Sequence, residues 1–475
     1  MRSQNPSPSF GHAIVLGGSI AGLLATRVLS DHFQRVTLVE RDELTDAPME
    51  RKGTPQGRHA HGLLAWGLTN LNHYFPGLRE SLIADGAVPG DMSRDLRWYQ
   101  HGTYKLQFPS GFEGLFLSRP LVEQHIRRRV LALPNVTCLG GTSVDALLSS
   151  PDQQSVCGVV VRPARAEQHE STPLLGDLVV DATGRGSRTP ERLERLGYAP
   201  PPVSEVRVDI AYATRLYRRT ANGLAGAEAM LISPVAPRET RIGVMFPIEG
   251  DRWIVTLGGW HGDHATPTEE GFRAFARGLP APDIAEVIER SEPLSDVMVH
   301  KLPSSLRRHY ERLTRFPERF LVIGDAIASF NPVYGQGMTS ATLQASALDD
   351  VLRRQQQAGR LQGMWRHFFR QAARVVDIPW QITVGEDFRF AQTTGQRPPL
   401  VDTINAYVSF VQRASAVDRE VARAFMYVMN LQKPPMSIFA PRIVYRTFRA
   451  LRRQLRPAPV ERAPKSALAF PNSAI

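Results

Sequence analysis

The 475-residue sequence is poor in cysteine, with only Cys138 and Cys157, and both lie among apolar and small residues. So few cysteines exclude a small fold built on disulfides and fit a reducing cytoplasm, where we expect both thiols to be inert. The sequence also lacks a long apolar run, because its longest uncharged apolar stretch, residues 13–25, is short and rich in glycine. We therefore expect a cytoplasmic protein with neither a transmembrane helix nor a targeting segment.

The sequence also has fewer acidic than basic residues. The chain has 46 Asp and Glu against 57 Lys and Arg, which gives a formal net charge of +11 and a pI near 10.0. Such a surplus raises nucleic acid, an anionic membrane or an acidic ligand as partners. Since the sequence has neither a nucleic-acid-binding motif nor a basic stripe interleaved with stacking aromatic residues, we expect no nucleic-acid partner.

Residues 12–40 have the pattern of a nucleotide-binding βαβ unit. A short apolar strand ends at the turn GGSIAG, Gly17 to Gly22, and a helical apolar pattern follows. Glycines in such a turn let backbone N–H groups approach a pyrophosphate, although Ser19 replaces the usual middle glycine. A second apolar strand ends in Glu40, 18 positions after Gly22. A carboxylate there accepts hydrogen bonds from ribose hydroxyls, which favours FAD or NAD over NADP.

The texture of the sequence changes after residue 200. Polar and apolar residues alternate from Val206 to Leu216, which predicts an antiparallel strand, and further strands follow at residues 240–248 and 252–258. From Met338 onward, helical spacing dominates. The apolar strand faces are more typical of plain core than of a substrate wall. The residues that would line a pocket are Val206, Val208, Ile210 and Tyr212, or Met245, Phe246, Trp253 and Ile254.

Two further motifs follow strands later in the chain. One is DATGRGSR, from Asp181 to Arg188, and the other is GDAIASFNPVYGQGM, from Gly324 to Met338. Together with the glycine turn, they resemble the three fingerprints of the group A FAD-dependent monooxygenases, the superfamily of p-hydroxybenzoate hydroxylase and squalene epoxidase.

Within that superfamily, three segments resemble a bacterial natural-product branch that includes polyether epoxidases. They are RKGTPQGRHAH at residues 51–61, RWIVT at residues 252–256 and NPVYGQGM at residues 331–338. The resemblance covers roughly residues 13–380.

The resemblance implies an α/β fold with a Rossmann-like FAD-binding domain of the glutathione-reductase type. This domain would be discontinuous and comprise residues 10–89, 114–199 and 316–385. An inserted antiparallel β-sheet domain for the substrate would comprise residues 90–113 and 200–315. A helical C-terminal region would cover residues 386–475.

The third motif has features suited to a flavin. Asp325 closes a strand and can accept hydrogen bonds from a ribityl hydroxyl, and Pro332 stiffens the loop that follows. The amides of Gly335 to Gly337 at a helix start would stabilise negative charge on the N1–C2=O edge of reduced flavin. By resemblance, Arg119 in the segment SRPLVE lies near the flavin diphosphate and ribityl chain.

By resemblance, Gln56, Arg58, His59 and His61 belong to a loop that runs past the isoalloxazine ring. No third ligand cluster accompanies the two histidines, so a flavin-side or structural role is favoured and we predict no metal site. Candidate contributors to the flavin-borne catalysis are Arg58, His59, His61, Gly335, Gln336 and Gly337. Candidate cofactor-binding residues are Gly17, Gly18, Ser19, Ile20, Ala21, Gly22, Glu40, Arg41, Gln56, Arg58, Arg119, Asp181, Gly184, Gly324, Asp325, Pro332, Gly335, Gly337 and Met338.

The resemblance implies an enzyme that uses FAD and O2, with NAD(P)H or a separate flavin reductase as the electron source. It would form a flavin C4a-hydroperoxide and epoxidise or hydroxylate an apolar small molecule. The leading candidate is an alkene of a polyketide or terpenoid in specialised metabolism, such as antibiotic biosynthesis. The alternative is a flavin-dependent reductase of isolated double bonds, like geranylgeranyl reductase.

Two other roles within the same fold are disfavoured by the sequence. The intact segment GQGM argues against a non-catalytic role like that of the prenyl-protein escort proteins. The segment RWIVT has one tryptophan, in contrast to the W-x-W-x-I-P segment that marks flavin halogenases.

Six arginines near the C-terminus gather on one predicted helix, without an intervening acid. Apolar Val444, Phe448, Leu451 and Leu455 recur on the opposite side. Two interpretations are open: contact with a membrane surface or an acidic partner, or a terminal helix packed through its apolar stripe, which is the commoner arrangement. The arginines are Arg442, Arg446, Arg449, Arg452, Arg453 and Arg456.

Overall fold

The computed structural model describes residues 10–164, 171–220, 224 and 226–454. In that part of the chain, four sheets are built from 20 strands. The strands are β1 (Phe10–Leu16), β2 (Phe33–Val39), β3 (Gly62–Leu63), β4 (Val88–Asp91), β5 (Leu96–Gln100), β6 (Thr103–Tyr104), β7 (Glu113–Phe116), β8 (Val136–Leu139), β9 (Thr142–Ser149), β10 (Val156–Pro163), β11 (Thr172–Leu175), β12 (Leu178–Asp181), β13 (Val203–Arg218), β14 (Ala229–Ile232), β15 (Arg241–Ile248), β16 (Arg252–Trp260), β17 (Met298–Arg308), β18 (Phe320–Val322), β19 (Ala328–Ser329) and β20 (Thr394–Gly395).

Twelve α-helices connect and cover these sheets within the same residues. None of them combines the length and the apolar character that crossing a bilayer requires. The last helix ends at Gln454, so the predicted helix residues Leu455 and Arg456 lie outside the described residues. The helices are α1 (Ile20–Ser30), α2 (Ala65–Tyr74), α3 (Leu78–Ala84), α4 (Arg119–Leu131), α5 (Thr189–Arg195), α6 (Glu269–Arg277), α7 (Asp283–Arg290), α8 (Gly337–Ala358), α9 (Met364–Asp387), α10 (Val401–Ala414), α11 (Arg419–Met429) and α12 (Pro441–Gln454).

A five-stranded parallel sheet forms the first layer, in the order β18-β12-β1-β2-β8. Helices cover this sheet, since α1 packs on β2 and α8 packs on α1. The inner strands are therefore almost entirely apolar in sequence. The predicted βαβ unit is confirmed, since β1 and β2 are parallel neighbours joined by α1. The predicted α/β fold class is confirmed with it.

The turn between β1 and α1 leaves no room for a side chain at two glycines. Gly17 has a φ of +99°, in the left-handed region that favours glycine. A Cβ atom on Gly22 would lie 1.7 Å from the carbonyl oxygen of Gly17. Gly22 therefore allows the first turn of α1 to close on the end of β1.

The second layer is a nine-stranded sheet in the order β19-β17-β13-β16-β15-β14-β5-β6, and β20 also pairs with β13. The three strands predicted after residue 200 are confirmed as β13, β15 and β16, which pair in antiparallel fashion. Strands β5 and β6 join this sheet from the earlier part of the chain, and β5 runs parallel to β14. The predicted domain boundaries themselves stay a prediction.

The two faces of the nine-stranded sheet have different neighbours. On one face, Met245 and Trp253 pack with Phe272 of α6 in a buried cluster that also includes α7. On the other face, Ile242 packs with Val384 of α9. Because side chains alternate along a strand, consecutive residues of β15 belong to opposite faces.

Helices α10, α11 and α12 pack on one another beside this second face. The predicted apolar stripe of α12 is wrong at Phe448, which is 43% exposed, whereas Thr447 and Ala450 are buried. The guanidinium of Arg446 pairs with the Asp418 carboxylate, Nη2 to Oδ2, at 2.9 Å. This contact draws Arg446 toward α11, so the buried stripe is rotated from the expected one.

We predict that Gly22→Ala lowers the free energy of unfolding by about 2–3 kcal/mol, because the added Cβ would overlap backbone that has no room to move. Chemical denaturation monitored by tryptophan fluorescence measures the change. The matched control is Gly186→Ala, since nothing lies within 4 Å of a Cβ at Gly186. Equal stability of the two variants would contradict this account of the turn.

Candidate functional site

A cavity of about 1150 Å³ lies where the carboxyl ends of the parallel strands face the nine-stranded sheet and the C-terminal helices. Its lining includes the turns that follow β1, β2 and β12 and the loop that follows β18. Clefts at the carboxyl edge of a parallel sheet are the usual ligand sites of such folds. The cavity has a polar end at this edge and an apolar end between the nine-stranded sheet and α10 to α12.

The polar end is built on the glycine turn and Glu40. The backbone N–H of Gly18 donates to Glu40 Oε2 at 2.5 Å, and the N–H of Asp42 donates to Oε1 at 2.9 Å. These bonds fix the carboxylate beside the N-terminus of α1. Glu40, the turn residues from Gly17 to Ala21 and Arg41 all line the cavity.

Several buried charged side chains form a hydrogen-bonded network next to the glycine turn at this end of the cavity. Arg51 Nε donates to Glu123 Oε1 at 3.0 Å, and Ser19 Oγ donates to Glu123 Oε2 at 2.8 Å. Arg119 Nη2 donates to Ser19 Oγ at 2.8 Å. Burial lowers the pKa of Arg51, but the nearby Glu123 and Glu40 carboxylates outweigh it and raise that pKa.

Sequence reasoning did not assign roles to Arg51 and Glu123. The sequence feature that could have indicated Glu123 is its position one helical turn after Arg119 in α4. The Nε of Arg119 is buried without a hydrogen-bond partner among the described residues. This orphaned donor beside the turn fits an anionic group at the polar end of the cavity.

Asp325 faces the cavity from the loop after β18. It follows Gly324, whose φ is +71°, and its side chain is open to the cavity. Removal from bulk water raises the pKa of the Asp325 carboxyl, while Arg119 and Arg185 act in the opposite direction. A carboxylate in this position can accept hydrogen bonds from ligand hydroxyls.

The loop from Asn331 to Met338 forms one wall between the two ends. Gly335 has a φ of +65°, and both Gly335 and Gly337 line the cavity. Gln336 does not line it, because its side-chain amide donates to the carbonyl oxygen of Met429 at 3.1 Å. The geometry therefore does not support a contribution of the Gln336 side chain to catalysis.

His59 and His61 lie at the other wall. His59 Nδ1 is 2.7 Å from Thr214 Oγ1, which in turn lies 2.7 Å from Thr256 Oγ1. Burial, with a smaller effect of His300, lowers the pKa of His59 to about 3. Burial, followed by the charge of Arg119, lowers the pKa of His61 to about 4. Both imidazoles are therefore neutral at neutral pH.

The buried carboxyl of Asp387, at the end of α9, connects the loop of residues 331–338 to the nine-stranded sheet. Its Oδ1 accepts hydrogen bonds from Asn331 Nδ2 at 3.1 Å and from Trp260 Nε1 at 3.3 Å. The Tyr212 hydroxyl donates to Asn331 Oδ1 at 2.5 Å. Burial raises the pKa of Asp387 to about 7, and its hydrogen bonds oppose this rise. The sequence carries no local signal for this residue.

The apolar end of the cavity is walled by aliphatic, aromatic and methionine side chains. Of the eight candidate lining residues, only Tyr212 and Phe246 line the cavity. The other six are buried core, which is the interpretation favoured above, and Met245 and Trp253 among them pack toward α6 and α7. The apolar wall comprises Met92, Leu96, Trp98, Leu231, Val244, Phe246, Ile382, Val401, Ile404, Val408, Phe425, Met426, Met429, Met436, Ile438 and Phe439.

Most of the predicted cofactor-binding residues are brought together at this cavity, and their role stays a prediction. Five predicted site residues do not line it: Gly22, Arg58, Asp181, Gly324 and Gln336. Arg58 is half exposed and pairs with Glu50 at 2.7 Å, Nε to Oε2. Asp181 is buried and accepts hydrogen bonds from the loop that follows it, which places Gly184.

The comparisons with known proteins agree with this geometry. No protein-family model matches the chain. Protein Rv3254 of Mycobacterium tuberculosis is 34% identical over 399 residues, which cover 82% of each chain. The chain belongs to the family of this protein.

Solved structures of low sequence identity share the fold. PqsL of Pseudomonas aeruginosa, described as a probable FAD-dependent monooxygenase, is 18% identical with a TM-score of 0.57, and the match covers 80% of this chain and 98% of PqsL. A flavoprotein/dehydrogenase of Cytophaga hutchinsonii is 13% identical with a TM-score of 0.67, over 93% and 99% of the two chains. The flavin-dependent halogenase CmlS is 17% identical with a TM-score of 0.62, over 89% and 76%. At these sequence identities the likenesses show the fold, and the predicted fold is confirmed.

We predict that Asp387→Asn changes how stability depends on pH. Because the pKa of Asp387 is about 7 in the folded chain and 3.8 ordinarily, the folded state holds this proton more tightly. The wild type therefore loses stability as pH rises from about 4 to about 7, by up to about 4 kcal/mol from this group. The uncharged amide has no such loss, so the variant gains stability relative to the wild type as pH rises.

Urea denaturation of both proteins from about pH 5 to about pH 8 measures this difference. A difference between variant and wild type that is constant across this range would contradict the protonated, buried state of Asp387.

Proposed function

We propose that this protein is an FAD-dependent monooxygenase that transfers one atom of O2 to an apolar small molecule. One observation carries the proposal. A single cavity of about 1150 Å³ joins a dinucleotide-binding turn to a chamber walled by apolar side chains. A dinucleotide at the first end and an apolar substrate at the second would share one enclosed space.

Bound FAD would supply the redox chemistry, with electrons from NAD(P)H or a partner flavin reductase and with O2 as the oxidant. The residues at the polar end fit this cofactor. The turn amides and Arg119 would bind the diphosphate, Glu40 the adenosine ribose and Asp325 the ribityl chain. The backbone amides of Gly335 and Gly337 would stabilise negative charge at the edge of the flavin ring.

The apolar chamber would bind the substrate and exclude water. Exclusion of water would limit wasteful side reactions of the oxidant. At neutral pH, the histidines at its border are neutral and weakly basic, since burial lowers the pKa of His59 to about 3 and that of His61 to about 4. Oxidation of a phenol usually needs a base that removes the hydroxyl proton, whereas oxidation of an alkene needs a shaped apolar pocket. This contrast supports an alkene as substrate.

We further infer epoxidation of a polyketide or terpenoid alkene in specialised metabolism. The support is the likeness of residues 51–61 and 331–338 to the polyether epoxidase branch, together with the apolar lining of the chamber. Reduction of an isolated double bond is the second candidate, because the same apolar chamber would hold the same substrate.

The purified chain tests the proposal with limonene as an apolar alkene, added FAD, NADPH and heavy-isotope O2. A monooxygenase gives an oxygenated product that carries one heavy oxygen atom, detected by mass spectrometry. A product that gains two hydrogens and no heavy oxygen favours the reductase. A chain that binds no FAD would overturn both candidates.

We predict that Asp325→Ala weakens FAD binding by about 1–3 kcal/mol, because it removes the hydrogen bonds that this carboxylate would accept from the ribityl chain. Quenching of flavin fluorescence measures the dissociation constant. The matched control is Asp350→Ala, which removes an exposed carboxylate of α8 away from the cavity lining. If Asp325→Ala and Asp350→Ala bind FAD equally well, Asp325 does not have the proposed role.

A further inference from the structure

The outward face of α12 is both basic and aromatic. Arg442, Tyr445, Phe448, Arg449 and Arg452 recur at intervals of three and four residues, and all are exposed. Tyr445 is 65% exposed and Phe448 is 43% exposed. We call these five residues the α12 stripe. Two exposed aromatic rings thus lie among the arginines of this face.

The charge of the α12 stripe is poorly compensated. Helix α12 contains no acidic residue, and its nearest acids on α11 and before it, Asp418 and Glu420, pair with Arg446, Arg442 and Arg423. Within the described part of the chain, Arg449 and Arg452 make no ion pair. The stripe therefore presents free positive charge to whatever covers it.

Exposed apolar side chains lie next to the α12 stripe and also in the lining of the cavity. The rings of Phe448 and Phe410 are in contact, with centroids 5.7 Å apart, and Phe410 is itself exposed. Ile404 of α10 and Met436, which lies between α11 and α12, line the cavity and are 40% and 68% exposed, respectively. Exposed apolar side chains thus lie both beside the basic residues and in the lining of the apolar chamber.

We propose that this face docks on the surface of an anionic lipid bilayer. Tyr445 and Phe448 enter the boundary between headgroups and acyl chains, and Arg449 and Arg452 bind lipid phosphates. An apolar substrate dissolved in the bilayer then reaches the chamber past Ile404 and Met436. This last step rests on the proposed function, whereas lipid binding does not.

The combination of groups favours a bilayer over a protein partner. Tyr445, with its hydroxyl, and arginines with long apolar stems suit the headgroup region, where one end of each side chain is wet, and the apolar ring of Phe448 suits the adjoining acyl chains. The stripe is one helix face wide, and none of the described helices can cross a bilayer. Binding is therefore expected to be peripheral and sensitive to salt.

Sedimentation with lipid vesicles tests the proposal on the full chain. The vesicles are phosphatidylcholine alone and an equimolar mixture of phosphatidylcholine and phosphatidylglycerol. We expect binding to the mixture, much weaker binding to phosphatidylcholine, and release by added salt. Arg449→Gln with Arg452→Gln should lower the partition coefficient roughly 25-fold, about fivefold for each arginine. Tyr445→Ser with Phe448→Ser should also lower it without changing the net charge.

The matched control is Arg354→Gln with Arg360→Gln, which removes one exposed arginine near the C-terminus of α8 and one just after that helix. It should bind vesicles as the wild type does, and unchanged thermal unfolding confirms that each variant is folded. The proposal is overturned if the wild type does not prefer the anionic vesicles, or if the α12 variants bind like the control. An acidic protein partner instead of lipid would give the first of these results.

The substrate route has its own measurement. With limonene dissolved in anionic vesicles, the α12 variants should raise KM at least tenfold, and with limonene dispersed in buffer they should match the wild type. Equal KM values in vesicles would overturn the route and leave lipid binding intact. If no turnover occurs with either form while vesicle binding persists, the proposed function fails and the route fails with it.

Discussion

One buried carboxylate, that of Glu123, holds together the segments that form the polar end of the cavity. It lies on α4 and accepts hydrogen bonds from Arg51, which follows β2, and from Ser19, which follows β1. Arg119 and Arg127 also lie within ion-pair distance of Glu123, and Arg51 has longer contacts with Glu40 and Asp42 at 3.4 Å. The positions of the turn amides and of Arg119 therefore depend on one buried network that is centred on Glu123.

The lining of the cavity changes from polar to apolar between its two ends. Charged and hydrogen-bonding groups concentrate where the strands end, and the opposite end has apolar walls from the nine-stranded sheet and three C-terminal helices. The border between them includes the neutral imidazoles of His59 and His61. The protein thus separates the groups that would recognise a charged cofactor from the groups that exclude water.

The sequence predicts what depends on local pattern. The unit β1-α1-β2 and the alternating strand β13 follow from apolar spacing, and both are confirmed. The Arg51–Glu123 pair could not be predicted, because the two residues are 72 positions apart and nothing local connects them.

Alternation also left the choice of face open. It shows that Met245 and Phe246 point to opposite sides of β15, but the side that faces the cavity depends on where α6 and α7 pack. The buried face of α12 differs from the predicted one for a similar reason, since Asp418, immediately before α11, pairs with Arg446. Contacts between distant segments decide these cases, and a single sequence does not encode them in its spacing.

The strand order of the parallel sheet has a consequence for synthesis of the chain. β18 pairs with β12, yet the residues between them build most of the nine-stranded sheet. As the chain leaves the ribosome, the edge of β12 stays unpaired until residue 322 has emerged. Unpaired edges and late, long-range strand pairing expose nascent chains to aggregation. Completion of the first sheet therefore waits until β13 to β17 of the second sheet have been synthesised, and a chain interrupted before β18 is left with an open β12 edge.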